Sequence, residues 1–334
     1  MTSKTVCSNL SSVMKKLIGL FITFLAFLSF SSIAYSFDGP LQVKNQFPLF
    51  LHINQPYLES ASTENSLSMN LSHSTINLVR NSSEWSMGLD MEITELNLRF
   101  RKNIQDFIEL GIDLPLLSFN AGFMDGFINS YHETFGFPDY GRSIRPTNKF
   151  FYEVRRNGFL VIKGESGKIS IGDIRLFAKK VILNNDPVIS LKGDVEFPTG
   201  NAKKGYGSGS IDAGIATLFE KKLSEIFKTY LNFGVIFPGD LKGYETVKLK
   251  TFAYGGAGIE SALWKNFSLL GQVLVQGSPY PKTAIPSVDR TAVTLSLGGR
   301  YSSGNNSLEF SFTEDPNTAG APDFTVTFSF KRRF

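Results

Sequence analysis

The chain has 334 residues, a formal net charge of +4 and a hydrophobic fraction of 42%, with 31 phenylalanines, 30 glycines and a single cysteine. So small a charge on a chain of this length gives no reason to expect nucleic acid as a partner. One cysteine excludes a disulfide framework, so the many aromatic side chains need either a large core or a membrane to cover them.

The first element is a secretory signal peptide. Lysines precede an apolar run over residues 17–30, and Ala34 and Ser36 are the small residues that a signal peptidase reads. The run is shorter than the about 20 apolar residues that a spanning helix needs. We expect residues 1–36 to be removed, which takes away the cysteine and three lysines but no acids, and lowers the formal charge from +4 to +1. Cys7 lacks the context of a lipidated cysteine, so no lipid anchor is expected.

Residues 37–64 follow. The stretch 39–49 holds two prolines and shows no alternation of polar and apolar residues. We interpret residues 37–64 as an N-terminal lead that precedes the folded domain and tucks against it. The remainder, residues 65–334, is predicted to form one domain.

Alternation with a period of two runs through that domain. From Trp85 to Thr94, every odd-numbered residue is apolar and every even-numbered residue is polar or glycine. The same pattern returns along the chain and predicts strands that have one apolar and one polar face. We predict an all-β fold, an antiparallel transmembrane β-barrel of about 12 strands.

The connections between these strands sort by length. Those after even-numbered strands are short, such as residues 101–106 and 184–187, whereas those after odd-numbered strands are long, beginning with residues 77–84. Short turns on one side, long loops on the other and both termini on the short-turn side are the arrangement of outer-membrane barrels. The short-turn side, with the N-terminal lead, is therefore predicted to face the periplasm of a Gram-negative cell.

Charged residues fall on the polar parity of their strands, which in a barrel of this type is the lumen side. With about a dozen strands the interior is wider than that of small packed barrels and narrower than that of open porins. The mixed charges are therefore expected to pair into a plug or to line a thin pore. The predicted lumen-lining residues are Asp90, Glu92, Glu109, Asp113, Lys192, Asp194, Glu196, Arg300 and Glu309.

The long loop over residues 117–168 contains one amphipathic helix. Its apolar residues recur at helical spacing, and Gly136 and Pro138 are placed to end it. The helix could plug the barrel mouth, lie on the lipid headgroups or serve as a plain packing element. We expect a cap over the pore, because an apolar face must be buried. The residues assigned to this loop plug are Phe123, Asp125, Phe127, Ile128, Tyr131, His132, Arg142 and Arg145.

The last eleven residues, 324–334, alternate apolar with polar side chains and end on an aromatic residue. Outer-membrane barrels close with such a strand, and assembly machinery reads it, so Phe328, Phe330 and Phe334 are the predicted assembly signal. Arg332 departs from the pattern, although an arginine near the membrane edge can snorkel. The alternative is an ordinary edge strand of a soluble sandwich.

Several segments of the chain resemble an uncharacterised family of Gram-negative outer-membrane β-barrel proteins, a domain of unknown function. The most specific segment is Asp-Gly-Phe-Ile at 125–128 with His132, Phe135-Gly136 and Pro138. Phe-Pro-Thr-Gly at 197–200 and Gly-Ser-Gly-Ser at 207–210 are shared more widely, and are similar to presumed transporters of aromatic compounds. The resemblance implies an outer-membrane barrel and supplies no activity.

Two histidines bear on catalysis. The outer-membrane phospholipase is a twelve-stranded barrel with a Ser-His-Asn arrangement, and His73 here has Ser74 and Asn77 nearby, although the His-x-Ser-Asn-Gly pattern is absent. His132 lies next to Glu133, which falls short of any metal-ligand spacing.

We therefore assign no catalytic residue, metal or cofactor, and interpret the chain as an outer-membrane channel or binding barrel for a small molecule, hydrophobic compounds included. The alternatives are an outer-membrane lipid hydrolase that uses His73 or His132, and a structural envelope barrel without transport. The expected partners are outer-membrane lipid and lipopolysaccharide, the outer-membrane assembly machinery and a small-molecule ligand. We expect a monomer that binds no nucleic acid.

Overall fold

The computed structural model describes residues 37–105, 107–136 and 146–334. The predicted signal peptide lies outside these residues, and so do Arg142 and Arg145 of the predicted loop plug. No helix among the described residues is long and apolar enough to cross a membrane.

Strands dominate the described chain. In chain order they are β1 (Ser66–Asn81), β2 (Trp85–Gln105), β3 (Ile108–Asn120), β4 (Phe151–Arg156), β5 (Phe159–Lys163), β6 (Ile169–Ile171), β7 (Ile174–Asn184), β8 (Val188–Phe197), β9 (Asp212–Lys222), β10 (Phe227–Phe237), β11 (Leu241–Lys242), β12 (Thr246–Val247), β13 (Phe252–Trp264), β14 (Phe267–Gln276), β15 (Ala292–Ser303), β16 (Asn306–Glu314) and β17 (Phe324–Arg333). Three α-helices accompany them: α1 (Pro48–Leu51), α2 (Asp125–Phe135) and α3 (Pro286–Asp289), and one turn of 3-10 helix spans Ala202–Lys204.

Twelve of these strands form a closed antiparallel barrel, which confirms the predicted fold class. They are β1 to β3, β7 to β10 and β13 to β17, and the last of them pairs with the first through ten residue pairs from Ser66↔Arg333 to Thr75↔Phe324. The short strands β4 and β5 extend the sheet beyond the end of β3, where β4 takes over the pairing with β2. The short strand β6 pairs with β3 next to the stretch that β7 pairs with.

The two ends of the barrel differ in their connections. One end, here called the short-turn end, has turns such as residues 185–187 and 304–305, whereas the long-loop end has connections such as 121–173 and 198–211. The predicted long loop at 77–84 is wrong, because β1 and β2 stay paired as far as Asn81↔Ser86 and leave a turn of only 82–84. Similarly, β2 continues through most of the predicted turn at 101–106.

The outer surface of the barrel is apolar around its middle. Strand residues on the outward parity are exposed and large, which is the surface that a bilayer would cover. Examples from seven strands are Leu67, Leu71, Leu110, Leu176, Leu191, Phe233, Phe310 and Phe328. Residues on the other parity are buried inside the barrel.

The interior is filled by residues 38–64, here called the N-terminal plug. Asp38 pairs with Lys331 near the short-turn end, and Asn45 Nδ2 donates to the carbonyl of Gly320 at the long-loop end, 2.6 Å away. Glu64 then pairs with Lys331 at 3.3 Å, so the segment has returned to the end where it started. The plug thus consists of an ascending limb (residues 38–47), a tip (48–53) and a returning limb (54–64).

This arrangement corrects the interpretation of residues 37–64 as a lead outside the domain. The lack of alternation correctly indicated that the segment is no barrel strand. Most of its polar residues, however, are buried against inward-facing groups of the wall. That complementarity joins positions far apart in the sequence and leaves no local pattern.

The interior changes character along its axis. On β1 to β3 the inward parity is polar near the short-turn end and apolar near the long-loop end, with no shift of register between the two parts. Leu49, Phe50 and Ile53 of the plug tip pack there in one apolar cluster with Trp85 and Tyr280. The long-loop half of the barrel is therefore closed by an apolar core.

Candidate plug and pore

Glu59 lies at the centre of the polar half. Its Oε1 is 2.5 Å from Lys192 Nζ, while Oε2 is 3.4 Å from Arg101 Nη2 and 3.6 Å from Arg99 Nη2. These side chains are all buried, so one plug carboxylate is shared by three desolvated cations from two strands. Such a cluster fixes the position of the returning limb, because a displaced limb would leave charges buried without partners.

A second cluster holds the upper part of the returning limb. Asp113 accepts from Arg99 Nε at 2.8 Å and binds Arg175, and Arg175 Nη1 donates to Asn54 Oδ1 at 3.1 Å and to the carbonyl of Gln55 at 2.8 Å. The guanidinium of Arg175 also lies 4.7 Å from the centre of the Tyr57 ring. The wall thus binds both backbone and side chains of the plug.

The lower part of the returning limb contacts three further wall groups. Lys179 Nζ donates to the carbonyl of Ser62 at 2.7 Å and pairs with Glu109 at 3.0 Å. Glu220 accepts hydrogen bonds from the hydroxyls of Ser60 and Ser62. Polar contacts therefore run along the limb over its whole length.

A cavity of about 440 Å³ opens at the short-turn end, between the two limbs and the wall. Lys331 and Arg333 of β17 pair there with Asp38 and Glu64. The inward side chains of the last barrel strand thus bind both ends of the plug.

The structure places seven of the nine predicted lumen residues on the inner face: Glu109, Asp113, Lys192, Asp194, Glu196, Arg300 and Glu309. Asp90 and Glu92 were assigned wrongly, since they share the outward parity of Leu96 and Phe100 on β2. The reason is the change of character described above: at the long-loop end the apolar residues face in and the polar ones face out.

Several wall residues that bind the plug were missed from the sequence. They are Arg99, Arg101, Arg175, Lys179, Glu220, Glu260 and Lys331. Their parity within each strand was an available signal. The plug residues that they bind carried no such signal.

The predicted loop plug is also wrong for the part of the loop that is described, because α2 lies on the outside of the barrel. Met124 and Ile128 pack against Phe324 and Val326, which have the same outward parity as Phe328. The ring of Phe127 lies 5.7 Å from that of Phe324. Met124 and Ile128 are therefore buried on the outer wall, whereas Phe123 and Phe127 stay largely exposed, and the described part of the helix does not enter the pore.

The start of α2 is anchored by Glu92. Its Oε1 accepts the backbone N–H of Phe123 at 2.7 Å, and Oε2 lies 2.7 Å from His73 Nε2. The Phe123 ring stacks on the His73 ring at 5.3 Å, and Asp125 accepts the N–H of Asn148 at 2.6 Å. The side chains of Tyr131 and His132 lie outside the described parts of the molecule.

The Ser-His-Asn constellation that was considered as an alternative is not assembled. Ser74 faces the lumen, where its hydroxyl is 2.9 Å from Thr325 Oγ1, whereas His73 faces outward and its Nδ1 lies 2.9 Å from Thr94 Oγ1. Within the described residues, no three His, Cys, Asp or Glu side chains come together in a way that could hold a metal ion.

His52 belongs to the plug tip. Its Nε2 is 3.3 Å from the hydroxyl of Tyr280, and burial lowers the pKa of the imidazole to about 4. The ring is therefore neutral at neutral pH and packs as part of the apolar core.

Solved structures with a similar fold are outer-membrane channels. The COG4313 outer membrane channel from Pseudomonas putida F1 is 13% identical, with a TM-score of 0.53 over 85% of this chain and 98% of that one. The NanC porin is 8% identical, with a TM-score of 0.45 over 80% and 98%. The Pseudomonas putida toluene transporter TodX is 8% identical, with a TM-score of 0.41 over 91% and 100%. The first of these likenesses supports the barrel fold.

None of the curated proteins matches this chain in sequence. A family model described as "Protein of unknown function (DUF3187)" matches residues 17–334, which confirms the resemblance seen in the sequence. The chain therefore belongs to the DUF3187 family.

Proposed function

We propose that this protein is an outer-membrane channel for a small molecule, closed at rest by its own N-terminal plug. The observation that carries the proposal is that a separate segment of chain, and not the wall side chains alone, fills the lumen. Two extended limbs side by side occupy a space roughly 10 Å across. Their displacement would leave a passage wide enough for a small solute.

The contacts of the plug suggest how it could open. Buried ion pairs add little net stability because desolvation offsets most of their attraction, so the clusters around Glu59 mainly set the register. The apolar tip supplies more of the holding free energy, since each fully buried Leu, Ile or Phe contributes about 1.5–3 kcal/mol. Leu49, Phe50 and Ile53 are all buried.

The outer surface of the barrel indicates its surroundings in the cell. The exposed apolar belt favours an outer-membrane location, with the short-turn end and the plug entrance in the periplasm. Lipid and lipopolysaccharide would then cover the outer surface, and the assembly machinery would read Phe328, Phe330 and Phe334. We take the working unit to be a monomer.

Single-channel conductance in planar bilayers tests the proposal. The wild-type protein should open rarely, whereas Phe50→Asp, which places a carboxylate in the apolar core, should open often. Phe310→Asp, an outward change of the same chemistry, controls for damage to the barrel. A folded Phe50→Asp barrel as silent as the wild type would contradict the proposal.

A lipid hydrolase is the second candidate, because His73 joins the Thr94 hydroxyl to the Glu92 carboxylate on the outer face. This order of groups is that of a nucleophile, a base and an orienting acid. Hydrolysis of phospholipid vesicles that disappears in both Thr94→Val and His73→Ala would establish it. Equal hydrolysis by both variants and the wild type would eliminate it. If the protein neither hydrolyses lipid nor conducts in planar bilayers, a structural barrel would remain.

A further inference from the structure

The inner wall is divided into a charged part and an uncharged part. Charged side chains from β2, β3, β7, β8 and β9 surround the returning limb, as described above. On β14 to β17 and β1, two rows of residues paired across the strands face the lumen instead with small, mostly hydroxyl-bearing side chains. The first row is Gln272, Ser296, Thr313, Thr325 and Ser74, and the second is Leu270, Gly298, Ser311, Thr327 and Ser72.

These two rows, here called the hydroxyl wall, are largely satisfied by bonds within the wall. Ser296 and Thr313 are 2.7 Å apart, and Ser74 and Thr325 are 2.9 Å apart. Ser72 and Thr327 are 3.0 Å apart. The wall therefore depends little on the plug for its hydrogen bonds.

Some polar atoms at this wall remain without a partner. Gln272 Oε1 in the first row and Ser307 Oγ, nearer the short-turn end, have no hydrogen-bond partner among the described residues. Their side chains are 6% and 3% exposed and have inward parity. A buried polar group without a partner is unfavourable, and a hydrogen-bonding solute or water in the lumen would relieve it.

The ascending limb covers this wall with few polar side-chain contacts. A Cβ added to Gly298 would come within 3.0 Å of Leu41 Cδ2, so the absence of a side chain at this glycine leaves room for the leucine. Gln42 Oε1 accepts from Ser68 Oγ at 2.8 Å, while Leu41 and Val43 pack on Leu270. The ascending limb is bound by ion pairs only outside residues 39–43, where Asp38 pairs with Lys331 and Lys44 pairs with Glu95 at 2.6 Å. The middle of the returning limb, by contrast, holds Glu59 among three cations.

Charge appears toward the short-turn end of the same wall, where it is paired. Arg300 binds Glu260 at 2.6 Å and Glu309 at 2.8 Å, and it also donates to the carbonyl of Gly39 at 2.7 Å. The cavity of about 440 Å³ lies at this end and borders Gly39 and Gln42 of the ascending limb. A solute that enters from the short-turn end would reach the feet of both limbs there, since Ser60 and Glu64 of the returning limb also line the cavity.

We propose that the hydroxyl wall is the solute path, that it takes small uncharged solutes bearing hydrogen-bonding groups, and that the ascending limb moves while the returning limb stays bound. The inference rests on the proposed channel function. The wall offers donors and acceptors but no net charge in its two rows, so an ion that crosses it would lose hydration without gaining a counter-charge. A hydroxylated neutral solute would exchange its water hydrogen bonds for those of the wall.

Two matched plug variants test which limb moves. Leu41→Asp places a carboxylate against the hydroxyl wall, and Leu58→Asp makes the same change on the returning limb, where Leu58 packs on Gly256 and Gly258. Proteoliposomes loaded with labelled xylitol, glutamate or lysine report efflux, and the heat-dependent shift in gel mobility reports folding. We expect xylitol efflux to rise by about tenfold or more in Leu41→Asp, and by much less in Leu58→Asp. Glutamate and lysine should follow far more slowly than xylitol.

A wall variant tests the path itself. Adding Thr327→Trp to Leu41→Asp should cut xylitol efflux several-fold, whereas Leu218→Trp on the inner face of β9, across the lumen, should not. Efflux of all three solutes at similar rates, a larger effect of Leu58→Asp, or no effect of Thr327→Trp would overturn the inference and leave the channel intact. A folded Leu41→Asp barrel that passes none of the solutes would overturn the channel function together with it.

Discussion

Replacing Glu59 by glutamine should release the whole plug, the returning limb included, because it removes the carboxylate that three buried cations share. Two of these cations keep another acid: Arg99 is 2.8 Å from Asp113, and Arg101 is 2.9 Å from Glu64. Lys192 keeps only Asp194, at 3.5 Å, among the described residues. Breaking a buried pair by removing one partner costs about 3–5 kcal/mol, and the remaining acids favour the lower value.

A cost of about 3 kcal/mol to every state in which the returning limb is bound corresponds to about a 100-fold increase in the ratio of fully unplugged to plugged molecules. The open probability of the largest conductance level in planar bilayers measures that ratio. Adding Lys192→Gln removes the charge left uncompensated, so the double variant should return most of the way to the wild type. Glu165→Gln, which breaks a surface pair with Lys204, is the matched control and should leave gating unchanged.

The reasoning would be refuted by an open probability of Glu59→Gln within a few-fold of the wild type. It would also be refuted if the double variant opened more often than the single one. In either case the ionic clusters would not hold the plug, and the apolar tip alone would account for closure.

Three further predictions concern the membrane strand, the loop and pH. Phe328→Arg should cost about 2–4 kcal/mol if Phe328 lies at the bilayer midplane, and deletion of Phe334 should slow assembly; wild-type amounts of heat-modifiable barrel from both would contradict this. Ile128→Asp should detach α2 from Phe324 without changing conductance, because the helix lies outside the barrel. A rise in conductance would instead support the hypothesis that the loop caps the pore. Burial lowers the pKa of His52 to about 4 from 6.5, so the plugged state binds fewer protons than a state with the tip exposed. Opening should therefore increase as pH falls from about 6.5 toward 4, and the free energy of opening should become more favourable by up to about 3 kcal/mol. In His52→Gln this component of the pH dependence of open probability should vanish, and an unchanged pH profile would show that the tip stays buried when the channel opens.

The strands were readable from the sequence because alternation is a local property. Leu110, Ile112 and Leu114 alternate with residues of the opposite face whatever the rest of the chain does. The closing strand and the order of short turns followed in the same way, and the structure confirms the barrel and the number of strands.

The sequence predicted less well whether the odd-numbered or the even-numbered residues of a strand face the lumen. On β2 the apolar residues are odd-numbered up to Ile93 and even-numbered from Leu96 onward, although the register does not shift. This exchange was visible in the sequence and marks the level at which the interior changes from an apolar core to a charged lumen. Reading it would have placed Asp90 and Glu92 on the outer face.

The sequence by itself therefore determined the barrel, its apolar belt and part of its inward-facing charges, since each depends on neighbours one or two residues apart. Only the tertiary structure decided what fills the barrel and where the loop helix lies. Glu59 meets Arg99 and Lys192 across 40 and 133 positions of chain, and α2 finds Phe324 across about 200. Contacts at such separations leave no periodic trace, because they form between surfaces that exist only after the strands have closed.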